Sequence, residues 1–173
     1  MLARMVSVVG AAVGCGATDP RCESGPEMLR RSDLLVRLWS GGLDPVWDAT
    51  ITAPDGADAV AGVHAVTTRL AARVKSIVER NAFPLVLGGD HSCALGTWSG
   101  VVAAVRPQGA LGLIWIDAHM DSHGPDTSPS NALHGMPLAC LLGEGLPALT
   151  EALGGVRLAP EHVFVVAWNI RAQ

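Results

Sequence analysis

Two short stretches carry the side chains best suited to chemistry. The first is Asp117-Ala118-His119-Met120-Asp121, which follows the apolar run Leu111-Gly112-Leu113-Ile114-Trp115-Ile116. Carboxylate and imidazole recur at every second position, so on an extended backbone Asp117, His119 and Asp121 project to one side, with Ala118 and Met120 on the other. The second stretch, Gly88-Gly89-Asp90-His91-Ser92, ends another apolar run, Leu85-Val86-Leu87. Imidazole mixed with carboxylate, without thiolate, suits manganese or another divalent first-row ion better than a structural zinc. Taken alone, the triplet has a plainer reading, in which His119 is a hydrogen-bonded core histidine and the aspartates cap the next element. Two strand ends of this design in one chain favour a metal site.

Those strand ends need a scaffold, and the rest of the chain supplies its pattern. Met5 to Val9 reads as a central strand, followed by a glycine-rich loop over Gly10 to Arg21. Ser24-Gly25-Pro26-Glu27 opens a helix with a capping box, running to about Trp39 and ending at Gly41-Gly42. Val46 to Ile51 is a short second strand. From Asp58, Val63, Val66, Leu70, Val74 and Ile77 recur at threes and fours, the mark of an amphipathic helix, with Arg69, Arg73 and Lys75 on its wet side. Pro84 to Gly88 is a third strand, Ser92 to Val105 a helix, Ala110 to Ile116 a fourth strand, and Ser122 to Leu133 a loop. Gly135 to Leu142 reads as helix and Val163 to Trp168 as a last strand. Apolar strands alternating with helices predict an α/β fold, three layers α/β/α, with a mainly parallel sheet covered on both faces. In such sheets ligands gather at the carboxyl ends of the strands, where His91, Asp117, His119 and Asp121 all fall.

Composition narrows the function classes. The 173 residues fit a single domain, residues 1–173, and 49% hydrophobic content is ample for a core. A net charge of −4 with scattered basic residues gives no electrostatic case for nucleic acid or a membrane surface as partner. No apolar run approaches the roughly 20 residues of a membrane-spanning helix. The N-terminal Met1 to Gly10 is better read as a buried strand than as a signal peptide, since no small-residue cleavage site follows a long enough core. Cys15, Cys22, Cys93 and Cys140 show no metal-binding spacing; Cys93 and Cys140 read as small buried hydrophobes. Cys15 and Cys22 lie in a loop and could pair, but a reduced, cytoplasmic chain is the expectation.

The two motifs also resemble a known family. Gly88-Gly89-Asp90-His91-Ser92 and Asp117-Ala118-His119-Met120-Asp121 are similar to the first two signature motifs of the ureohydrolases, the arginase and agmatinase family. Gly25-Pro26-Glu27 is similar to the family's G-P-E segment, and Thr127 to Gly135 resembles the arginase branch rather than the agmatinase branch. The resemblance implies an amidino hydrolase with a two-manganese site, the paired metals activating water that attacks a guanidinium carbon, as in arginine to ornithine and urea. It implies that His91 and Asp121 bind one ion and His119 the other, with Asp117 between them, and that His134 shuttles protons near the leaving amine. A plainer role for His134 is to cap the following helix. The loop before it would recognise a small guanidino substrate, Ser130 being the best positional match. His123 and Ala132 depart from asparagines usual there, and Asn131 stands one place away, which opens other guanidino acids, agmatine or formimidoylglutamate as substrates. His123 reads equally as a solvated loop residue. The complete protein is expected to be a homo-oligomer.

The family's third motif, S-x-D-x-D-x-x-D-P, with two further aspartate ligands, has no counterpart here. After Asp121 the carboxylates are Asp126, Glu144, Glu151 and Glu161, none of them in a D-x-D pair. The expectation is an incomplete arginase-like fold lacking its C-terminal third, binding at most one metal weakly, with impaired hydrolysis. In the eight-stranded sheet implied by the resemblance, two later strands lie between the third and fourth. Without them, either the two halves stand apart or the third strand pairs directly with the fourth. A non-catalytic, partner-binding module is the alternative of another class.

Overall fold

The computed structural model describes residues 4–167. Its strands are β1 (Arg4–Ala12), β2 (Leu43–Thr52), β3 (Phe83–Gly88), β4 (Leu113–Asp117) and β5 (Val163–Ala167). Its helices are α1 (Gly25–Arg31), α2 (Leu34–Ser40), α3 (Ala59–Glu79), α4 (Cys93–Val105), α5 (Pro137–Leu142) and α6 (Pro147–Ala152). Trp168, expected to end the last strand, and Asn169 to Gln173 lie outside the described residues, as do Met1 to Ala3.

The strands form two parallel sheets, β2-β1-β3 and β4-β5, rather than one. Of the two arrangements expected without intervening strands, the halves standing apart is the one observed, since β3 and β4 share no ladder. What unites the halves is apolar: one continuous core takes in Val9, Ala11 and Val13 of the first sheet together with Leu113 and Trp115 of the second. β1 is buried along both faces, as a central strand should be. Gly10 marks one face, where an added Cβ would lie 3.0 Å from the Pro26 side chain of α1. On the opposite face α3 contributes Val63, Val66, Leu70, Val74 and Ile77, all fully buried, each worth about 1.5–3 kcal/mol over an exposed side chain.

α3 and α4 approach closely because α4 carries Gly96 and Gly100 one turn apart. A Cβ at Gly96 would sit 2.7 Å from the Thr67 carbonyl oxygen, and one at Gly100 2.5 Å from that of Ala71. α3 itself starts at Asp58, whose side chain accepts the Ala61 N–H at 2.8 Å.

Three expectations need correction. The helix foreseen from Ser24 to Trp39 is broken into a 3-10 turn over Pro20–Ser24, α1 and α2, with an interruption at Ser32-Asp33. The capping box does not form: Ser24 Oγ donates to the Arg21 carbonyl, and Glu27 pairs with Arg31 at 2.8 Å instead. The second sheet is covered on one face only, since Ile114, Ile116, Phe164 and Val166 are all more than half exposed. Another correction, for Asp117, His119 and Asp121, follows with the site. Among the described residues, no helix is long and apolar enough to cross a membrane.

Asp48 ties the first sheet to α3. The β1–β2 register slips between Val8 and Val9, which leaves Asp48 as an extra bulge residue between Trp47 and Ala49. Its carboxylate, 12% exposed, accepts from Arg73 and, at 2.8 Å, from Arg80, which also reaches Ser7 Oγ. Burial raises its pKa, but the hydrogen bonds and charges of Arg73 and Arg80 outweigh that and hold it below the usual carboxylate value. A carboxylate with a lowered folded pKa stabilises fully above its unfolded value and loses that contribution as pH falls through the folded one. Replacing Asp48 by Ala is therefore expected to cost about 1–3 kcal/mol in urea denaturation at pH 7 and to flatten the loss of stability below about pH 4. An unchanged denaturation midpoint would refute this.

Candidate metal centre

β4 delivers Asp117 but stops there. Asp117 Oδ1 accepts the His119 N–H at 2.8 Å, a local turn that competes with the ladder and ends the strand. Strand alternation therefore does not align Asp117, His119 and Asp121, contrary to the pattern read from sequence. Asp121 instead turns back with φ +49°, a left-handed conformation that aspartate tolerates better than most residues. Its carbonyl accepts the Leu138 N–H at 2.9 Å and the Ala139 N–H at 3.4 Å. The otherwise orphan amides at the start of α5 thus hold the backbone of Asp121.

His91 approaches from the other sheet, in the turn after β3. Its Nδ1 lies 2.5 Å from Asp121 Oδ2 and 3.3 Å from Asp117 Oδ2. Ligand atoms of His91, Asp117 and Asp121 all fall within 4.8 Å of one another. Trp115 stacks on the His91 ring with centroids 4.8 Å apart. Asp121 Oδ2 is fully buried yet has no aligned hydrogen-bond donor among the described residues. An orphan buried oxygen facing an imidazole and a second carboxylate fits a divalent cation, because the cation would supply the missing partner. His119 stands apart, 55% exposed, its Nδ1 3.4 Å from Oδ1 of Asp117, the oxygen that His91 does not face.

Burial of the His91 ring opposes its charged form, but the Asp121 carboxylate, joined by Asp117 and Asp90, outweighs this and raises its pKa above the ordinary value.

A cavity of about 340 Å³ opens beside the cluster, lined among others by His91, Asp117, His119, Asp121, His123, Ser130 and His134. His134 sits in a 3-10 turn over Leu133–Gly135, and its N–H donates to the Gly16 carbonyl at 3.0 Å. The His123 N–H donates to the Gly135 carbonyl at 3.2 Å, while its Nδ1 faces Thr127 Oγ1 at 3.4 Å. Ser130 Oγ accepts the Ala132 N–H at 3.3 Å. Asn131 alone of the candidate residues is not in the lining; it is exposed, with φ +55°. Sequence reasoning passed over Trp115 and Asp90. Period-two alternation places Trp115 on the same face of β4 as Asp117, a signal that was available.

The four cysteines are free, so Cys15 and Cys22 are unpaired. Cys140 is buried, and burial, with the nearby Asp90 charge, pushes the Cys93 thiol up to about 12.

Comparison with known proteins establishes the family and the fold. The Arginase family signature matches residues 4–169. An arginase from Bacillus caldovelox is 39% identical over 93% of this chain and 56% of its own length, and one from Bacillus subtilis 34% identical over 94% and 57%. The solved structure of the Bacillus caldovelox arginase superposes with a TM-score of 0.85, at 36% identity over 94% of this chain and 57% of that one. The Entamoeba histolytica arginase in complex with L-ornithine gives a TM-score of 0.84 at 30% identity, over 95% and 58%. The chain thus spans a little over half the length of the relatives it matches, and across nearly all of its own length it belongs to the arginase family.

Proposed function

We propose that the protein is an arginase-type hydrolase that cleaves a guanidino substrate to urea and an amine, arginine to ornithine being the leading case. The observation that carries the reading is the convergence of His91, Asp117 and Asp121 on the wall of a cavity that also presents His134. Its volume lies within the range of small-molecule sites. The ornithine complex of the Entamoeba histolytica relative supports arginine over agmatine or formimidoylglutamate. The four free thiols suit the reducing cytoplasm, and a homo-oligomer is the assembly we expect.

Manganese, when bound, supplies Lewis-acid polarisation and a lowered pKa for the attacking water. His91, Asp117 and Asp121 would hold one ion, and His119, beside Asp117, would serve a second. Asp117 and Asp121 together carry −2 against the +4 of two divalent ions, so single occupancy is favoured in this chain and turnover is expected to be low. His134 would pass a proton to the nitrogen of the leaving amine, a task suited to a side chain titrating near neutral pH. Ser130 and His123 face the cavity where the substrate's α-substituents would lie. Asn131 would act only by shaping the loop.

Two outcomes test this reading. Manganese titrated calorimetrically should bind with a stoichiometry near one, and Asp121→Asn should weaken it by about tenfold or more. Because His91 must lose its proton to ligate, affinity should fall by about tenfold per pH unit on acidification below its raised pKa. Flat affinity between pH 8 and 5 would exclude His91 as a ligand. In the second test the manganese-loaded protein receives arginine, agmatine and formimidoylglutamate, with urea or formamide as the readout. Slow urea release from arginine, reduced about 10²-fold or more by His134→Asn with metal binding intact, is the expected result. Equal rates with His134→Asn would remove it from the chemistry.

A further inference from the structure

Asp90 is 6% exposed and pairs with none of the described lysines or arginines. A carboxylate buried without a cation is costly unless its oxygens are fully used. Both are: Oδ2 accepts the Gly16 N–H at 2.9 Å and Oδ1 the Ser92 N–H at 2.8 Å. The Asp90 N–H in turn donates to the Val13 carbonyl at 2.7 Å. With both oxygens committed to amides, Asp90 stands outside the cluster of His91, Asp117 and Asp121 although it is adjacent to His91 in sequence.

The other end of Gly16 reaches the second half of the molecule. Its carbonyl accepts the N–H of His134 at 3.0 Å, joining the loop after β1 to the loop before α5 across sheets that share no ladder. A Cβ at Gly16 would lie 3.0 Å from each Asp90 carboxylate oxygen and 3.1 Å from Ser92 Oγ, so a side chain here would press directly on the carboxylate. One buried carboxylate thereby orders a single residue, Gly16, whose N–H it binds and whose carbonyl, in the next peptide group, binds His134.

We propose that Asp90 is a positioning residue for His134, acting through the backbone of Gly16 and so fixing the histidine relative to the His91 end of the site. The proposal rests on the reading of His134 as the proton-carrying residue for its catalytic meaning, but not for its geometry. It differs from a general structural role in being local. Loss of the carboxylate should free the His134 turn while leaving the β1 core and the metal cluster in place.

The test uses the 173-residue protein. Asp90→Asn keeps the size but turns one acceptor into a donor facing an N–H. Amide hydrogen exchange at His134 should quicken by about tenfold or more, while Val8 and Val9 in β1 keep their rates. Manganese affinity should stay within about threefold, since the ligands are untouched. Where urea release is measured, kcat should fall with KM unchanged. Gly16→Ala, which keeps the charge but crowds the carboxylate against its amide partner, should give the same local exchange pattern and decides the matter if Asp90→Asn does not fold. Unchanged His134 exchange in a folded variant overturns the proposal, as does a uniform rise at His134, Val8 and Val9 alike. If the parent protein releases no urea, the exchange and manganese measurements still decide, and only the catalytic reading fails.

Discussion

The structure depends on how two sheets that never pair are held in register at their carboxyl ends. Hydrophobic burial joins them, but burial is non-directional and fixes no register to the tenth of an ångström that metal ligation needs. Directional links do that. His91 reaches Asp117 and Asp121 from one sheet to the other, and the His134 N–H bonds the Gly16 carbonyl. Both links lie where the strands end, and the cavity lies between them. The site and the seam are the same place.

That location has an electrostatic consequence. Asp117 and Asp121 both turn toward one imidazole, an arrangement unfavourable for two bare carboxylates and favourable once a positive charge sits among them. A charged His91 ring meets that need, and the two carboxylates raise its pKa despite burial. A divalent cation does the same with more charge and more ligands. Imidazolium and cation would occupy one position, so the cluster links the two halves as well as forming the candidate metal centre. Asp48 plays the corresponding role at a distance, where Arg73 and Arg80 balance a bulge carboxylate without any ion.

Much of this was legible in the sequence for a physical reason. Long apolar periodicity, as in α3, and buried runs, as in β1, report the burial that determines them. The candidate ligand residues were legible because glycine breaks followed by Asp and His mark strand ends. What misled was the assumption that a strand continues through its ligands. The His119 N–H finds Asp117 Oδ1 before it finds a neighbouring strand, and period two ends there. The divided first helix escaped because its apolar residues Met28, Leu29, Val36 and Trp39 never become a buried stripe. Asp90 escaped for another reason: its partners are backbone amides, which carry no residue-type signature.

The exposed face of β4 and β5 completes the picture. Continuous apolar strands read as covered on both sides, and Ile114, Ile116, Phe164 and Val166 fit that reading in sequence while one face stays bare among the described residues. The inner face, with Leu113 and Trp115, packs on the common core and orients Asp117 through β4. The ladder to β5 then matters beyond stability. A two-stranded sheet is marginal alone, so β4 holds its ligand in place only because Leu113 and Trp115 anchor it from one side and Asp117 is drawn to His91 at its tip. Ligand geometry and strand order support each other, and weakening either end of β4 loosens both.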